Sequence, residues 1–183
     1  MRVIAFIGSP RKDGNTDRLV QEILAGAASA GHEIKKVYLT DYALTPIDPV
    51  HGPDTDWTDP RQAVADELIE KMVAAEVVVL GSPVYWFNVS GLMKLFIDRW
   101  SLYQRGGQRL MELTVGKRMV VALALADPQP GYVEAVLAPL RLAAKWLQME
   151  WAGEVVAAGV SDPGEVERQP RILAAARALG QSF

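Results

Sequence analysis

The chain has 183 residues, half of them hydrophobic, which suffices for one well-buried domain and excludes intrinsic disorder. A net charge of −3 gives no electrostatic reason to expect a nucleic-acid partner, and no apolar run approaches the roughly 18 residues needed to span a membrane. The absence of cysteine removes disulfides, thiolate metal sites and cysteine nucleophiles.

The first strand is expected over residues 2–8, from the apolar run Val3-Ile4-Ala5-Phe6-Ile7. No signal-peptide pattern precedes it, so a cytoplasmic location without membrane insertion is expected. Gly8-Ser9-Pro10-Arg11-Lys12-Asp13-Gly14-Asn15-Thr16 follows, and then an amphipathic helix over 15–30 with Leu19, Val20, Ile23, Leu24 and Ala27 on its apolar face. Strand, polar Gly-containing loop and helix start together make an anion site, because the first helical N–H groups lack partners and carry the positive end of the helix dipole. Ser9, Asn15 and Thr16 offer side-chain donors, and Arg11 and Lys12 offer positive charge. The spacing is neither that of a P-loop NTPase nor that of a dinucleotide fingerprint, which leaves a terminal monophosphate as the expected group.

Gly31 should close this helix in a left-handed cap, followed by a strand over 33–39 in which His32 is a turn residue. Residues 40–60, with Pro46, Pro49, Pro53 and Pro60, read as a long surface loop; His51 is a solvated loop residue. Pro60 should open a helix over 60–75. The run Val77-Val78-Val79-Leu80 then marks a central strand over 76–82, buried on both faces.

After that strand comes the second signal, Gly81-Ser82-Pro83-Val84-Tyr85-Trp86-Phe87-Asn88-Val89-Ser90-Gly91, leading into a helix over 90–104. Three consecutive aromatics just past a central strand cannot all face a core, so a flat ligand surface is expected here. In an open α/β sheet, ligands bind at the carboxyl ends of the strands. A phosphate seat on one such end and an aromatic surface on another call for a phosphate joined to a planar ring. Asp98 and Arg99 are expected as an internal ion pair, and the aromatic set Trp86, Phe87, Trp100 and Tyr103 exceeds what one helix needs for its core contact. Residues 105–116 read as irregular. Further strands are expected over 117–126 and 152–160, and helices over 131–149 and 170–180. The alternation predicts an α/β fold with helices on both faces of a five-stranded parallel sheet in the order 2-1-3-4-5. No repeat or linker divides the chain, so one domain covering 1–183 is expected.

The two blocks at 8–16 and 81–99 resemble those of the NADPH-dependent FMN reductase family, which also includes NAD(P)H:quinone oxidoreductases and iron–sulfur flavoproteins. The missing cysteines set the chain apart from the iron–sulfur group. The resemblance implies a flavodoxin-like three-layer fold with FMN as cofactor and NADPH or NADH as reductant. It places Ser9, Arg11, Asn15 and Thr16 at the FMN phosphate and Pro83, Val84, Tyr85, Trp86, Phe87 and Asn88 beside the flavin ring. It also implies a homodimer, with a tetramer open and Trp86, Phe87, Trp100 and Tyr103 as its aromatic contact beside the flavin. It implies two-electron transfer to a quinone, a nitro- or azo-aromatic or a similar small-molecule acceptor, with Tyr42 or Trp57 lining the acceptor site and Arg105 and Arg109 as candidates for meeting the NADPH 2′-phosphate. No catalytic side chain is expected, since the chemistry is the flavin's. The stretch Ala126-Asp127-Pro128-Gln129-Pro130-Gly131-Tyr132 departs from the Gly-rich third flavin loop of the family. The alternative reading is a flavodoxin-like one-electron carrier or a flavin-binding redox sensor; Arg11 and Lys12 in the phosphate loop argue against the carrier.

Overall fold

A computed structural model describes residues 1–47, 59 and 61–183. His51, Trp57 and the helix opening at Pro60 lie outside the described residues. In chain order the elements are β1 (Arg2–Ile7), α1 (Asn15–Ser29), β2 (Glu33–Tyr38), α2 (Gln62–Ala74), β3 (Val77–Tyr85), β4 (Asn88–Val89) and α3 (Gly91–Arg99). They continue with β5 (Gln104–Arg105), β6 (Gln108–Arg109), α4 (Leu110–Leu113), β7 (Arg118–Leu125), α5 (Val133–Trp146), β8 (Glu150–Ala158) and α6 (Pro170–Gln181).

Five strands pair in parallel in the order β2-β1-β3-β7-β8, which is the expected 2-1-3-4-5 arrangement of a flavodoxin-like sheet. Alternate residues of the central strands feed two cores. Ile4, Phe6, Val78, Leu80, Val121 and Leu123 face α2, α3 and α5. Val3, Ala5, Ile7, Val77, Val79, Val120 and Ala122 face α1 and α6. Burial on both faces is why these strands read as unbroken β-branched runs.

Gly31 takes the left-handed conformation (φ 83°) that closes α1, as expected. The third helix is shorter than expected: α3 ends at Arg99, and Trp100–Leu102 tighten into a 3₁₀ turn. The supposedly irregular 105–116 stretch holds a hairpin whose turn, Gly106-Gly107, has φ values of 57° and 84°. That Gly-Gly pair is a two-residue hairpin signal the sequence did carry. Likewise, β3 runs on to Tyr85 and pairs with β4, so the aromatic segment is the tip of a hairpin rather than a loop.

Helices α1 and α6 approach until backbone meets backbone. A Cβ on Gly180 would lie 1.9 Å from the Ile23 carbonyl oxygen, and one on Gly26 2.0 Å from that of Arg177. Gly180→Ala must therefore push the helices apart. The expected loss is about 1–3 kcal/mol or more of stability, read as a lower urea midpoint with an unchanged m-value.

Candidate functional site

The C-terminal ends of β1 and β3 are stitched together. Gly8 N–H donates to the Gly81 carbonyl at 2.8 Å. Ser90 Oγ donates to the Gly8 carbonyl at 2.6 Å and accepts Met93 N–H at 3.1 Å as the N-cap of α3. Ser90 N–H in turn donates to Ser82 Oγ at 2.9 Å. Gly8 is required by this approach, since a Cβ there would sit 2.7 Å from Met93 Cβ.

Beside this stitch lies an open cleft of about 200 Å³. It brings Ser9, Arg11, Asn15 and Thr16 together with Pro83, Val84 and Tyr85, uniting most of both sequence blocks. The N-terminus of α1 opens into it at Gly14, which has extended geometry (φ −78°, ψ 179°) and no side-chain cap. Thr16 is almost fully buried, lines the cleft, and makes no side-chain hydrogen bond within the described residues.

The other polar side chains of the first block shape the loop. Ser9 Oγ accepts Arg11 N–H at 3.1 Å and donates to its carbonyl at 3.2 Å. Asn15 spans to the segment after β8, donating to the Asp162 carbonyl at 2.9 Å and accepting Val166 N–H at 3.2 Å. Arg11 Nη1 donates to the Ser161 carbonyl at 3.1 Å. Lys12 turns away to pair with Asp41 at 2.7 Å. These contacts reach a wall without a signal in the sequence, where Val160, Ser161 and Pro163 line the cleft; Ala126, at the start of the divergent 126–132 stretch, lines it too, with Ala124. Glu165 accepts Ser161 and Asp162 N–H at 2.7 and 3.0 Å, and those backbone bonds hold its carboxyl below the usual carboxylate range.

The hairpin tip stands at the edge of the cleft. Trp86 and Phe87 occupy its two turn positions with φ values of 49° and 60°, and Trp86 is 93% exposed. Phe87 is half-exposed and meets Tyr132 edge-on at 5.1 Å, which brings the divergent 127–132 stretch alongside the hairpin. Asn88 Oδ1 accepts Val89 N–H at 2.8 Å. Trp86, Phe87 and Asn88 do not line the cleft itself.

Two expectations are corrected. Trp100 and Tyr103 are buried in the core, Trp100 edge-on to Phe96 at 5.5 Å, because the turn after α3 folds them inward and leaves little of either ring for a partner subunit. Arg99 pairs with Asp59 at 2.8 Å rather than with Asp98, which pairs with Lys94. Arg99 is fully buried, and its five N–H donors reach the Thr45 carbonyl and hydroxyl, the Pro46 carbonyl, Asp59 and Gln62. Tyr42 packs toward α2 with its hydroxyl accepting from Lys71 at 2.9 Å, and it does not line the cleft. Arg105 and Arg109 are exposed on the β5–β6 hairpin, and Arg109 borders a separate groove with Trp146 and Leu110.

With this geometry in hand, residues 1–160 match the family described as NADPH-dependent FMN reductase. The chain belongs to that family. Membership makes it an NAD(P)H-dependent flavin enzyme with FMN as cofactor. This FMN reductase family member is 28% identical over 182 residues to YwqN of Bacillus subtilis, named as a candidate NAD(P)H-dependent FMN-containing oxidoreductase; the match covers 98% of this chain and 96% of that one. Its fold matches the Bacillus subtilis Trp repressor binding protein with a TM-score of 0.75, at 25% identity and 98% coverage of each chain. It also matches an FMN-dependent NADH-azoreductase from Bacillus anthracis, solved with FMN, with a TM-score of 0.72 at 20% identity, covering 98% of this chain and 100% of that one.

Arg99 carries a prediction of its own. A buried ion pair adds little relative to a well-packed apolar pair, but removing one partner strands the other. Arg99→Met should cost about 3–5 kcal/mol in chemical denaturation. Limited proteolysis of the same variant should show cleavage near residues 45–46 well before the parent is cut.

Proposed function

We propose that residues 1–183 form a single FMN-binding domain that passes two electrons from NADPH or NADH to a quinone, a nitro- or azo-aromatic or a similar acceptor in ping-pong order. The observation that carries this reading is the cleft at the strand ends, where an uncapped helix N-terminus and a rigid aromatic hairpin adjoin. Three features support a phosphate seat there: the uncapped first turn of α1, the Thr16 hydroxyl with no partner among the described residues, and the Arg11 guanidinium at the rim. Ser9 and Asn15 serve the same seat by fixing the loop and its far wall.

FMN, when bound, supplies the hydride and electron chemistry. The chain's part is to hold and orient it. Pro83, Val84 and Tyr85 form the cleft side nearest the ring, and Trp86, Phe87 and Asn88 extend that surface outward. Val89 and Ser90 N–H are already engaged by Asn88 and Ser82, so other backbone N–H groups of the 84–88 segment would be the ones to meet the ring edge where negative charge develops on reduction. The exposed tip also suits the subunit contact of a homodimer, and Arg105 and Arg109 are the cations offered to a nucleotide 2′-phosphate.

The test is the visible spectrum of the purified protein, followed by anaerobic addition of NADPH. Flavin bands that bleach in one fast step, with little one-electron intermediate, are expected. Bands that persist would move the protein to the carrier or sensor class, and no flavin uptake from excess FMN would overturn the reading. Trp86→Ala separates site from scaffold. Because so little of Trp86 is buried, stability should stay within about 0.5 kcal/mol, while FMN affinity or reductase rate falls several-fold. An unchanged affinity and rate would remove Trp86 from the site.

A further inference from the structure

Asp17 occupies the third helical position of α1 and is fully buried. Its Oδ2 accepts Asp13 N–H at 2.9 Å and the Tyr38 hydroxyl at 2.7 Å. The first of these bonds holds Asp13 in the left-handed conformation (φ 61°) that turns the cleft loop into the helix. The carboxylate therefore shapes the loop, but it also puts a negative charge in the same helical turn that would hold a phosphate. An unbalanced charge there takes up the positive end of the helix for itself and repels a second anion.

The balance comes from β2. In the parallel register Lys36 lies opposite Ala5 and Tyr38 opposite Ile7, so both side chains rise on the face covered by α1. Lys36 Nζ donates to Asp17 Oδ1 at 3.0 Å and stands 4.9 Å from the centre of the Tyr38 ring. Burial alone pulls the Lys36 ammonium down, but its interactions with Tyr38 and Asp17 outweigh it and its pKa stands above the ordinary lysine value. Lys12 lies over the same ring at 4.8 Å, yet its charge is matched by Asp41. Among the described residues, Lys36 is the cation bonded to Asp17.

We infer that Lys36 is a positioning residue for the phosphate subsite: it cancels the buried charge of Asp17, so that Asp17 can shape the loop without repelling the phosphate of the cofactor. The inference rests on the proposed seating of the FMN phosphate at the start of α1. Lys36 itself belongs to a neighbouring strand and does not line the cleft.

The experiment compares FMN with riboflavin, which has the same ring and ribityl chain without the phosphate, by flavin-fluorescence titration of the flavin-free full chain. The parent should prefer FMN. Lys36→Met should cut that preference by about tenfold while riboflavin affinity changes by less than about twofold. The double variant Asp17→Asn with Lys36→Met should restore most of the preference, because the amide oxygen keeps the bonds to Asp13 and Tyr38 without the charge. Equal weakening of both flavins by Lys36→Met would show a merely structural role and overturn the inference, as would an intact preference for FMN. A parent that does not prefer FMN would instead sink the phosphate seat on which the inference rests.

Discussion

The hydrogen bond from Ser90 Oγ to the Gly8 carbonyl, 2.6 Å long, fixes the two halves of the candidate site relative to each other. The same hydroxyl accepts the Met93 N–H, so the bond that joins the loops also caps α3 and sets its direction. Nothing larger than glycine fits at position 8 while this bond exists, and Gly81 is under a similar limit, since a Cβ there would lie 2.6 Å from Val20 Cγ2. Once α3 is aimed, its last residue, Arg99, is delivered to Thr45, Pro46 and Asp59. One contact at the mouth of the cleft thus governs an ion pair at the opposite end of a nine-residue helix.

The proposed phosphate seat draws more on backbone than on side chains. A helix N-terminus offers N–H groups in fixed positions, and these need no rotamer ordering when an anion arrives. The polar side chains of the first block are largely engaged with one another and with the wall after β8: Ser9 with Arg11, Asn15 with Asp162 and Val166, Lys12 with Asp41. They hold the amides in place. The same economy appears beneath the loop, where Asp17 takes one N–H for its turn and is itself answered by Lys36 and Tyr38.

The sheet order and both cores were legible because β-branched runs buried on two faces leave an unambiguous pattern. The cleft was legible because each signal block directly follows such a run. Other features were hidden for physical reasons. Asn15 reads as a donor in sequence, and only the fold shows its carboxamide spent on a segment about 150 positions away. The wall at Val160 and Ser161 carries no local signature, since its contribution comes from where β8 ends. Arg99 stands next to Asp98 in the sequence, but helical geometry sends neighbouring side chains to different faces, and its true partner lies 40 residues away. Trp86 and Phe87 sit in turn positions that Asn and Gly usually fill, so no turn rule would place them there.

That last misfit is informative in itself. A large residue in the left-handed region costs of order 1–3 kcal/mol, and this turn holds two in succession. Within the chain, Phe87 recovers part of that from its edge-on contact with Tyr132, worth about 0.5–1.5 kcal/mol. Trp86, at 93% exposure, recovers almost nothing. The conformation is instead imposed from below, by the pairing of Tyr85 with Asn88 and Val84 with Val89 and by the bond from Ser90 to Ser82. An indole on a slack loop would fold onto the nearest apolar surface. Held on a strained two-residue turn above a stitched hairpin it cannot, and its face stays open beside the cleft for a planar ring or an apolar surface to cover.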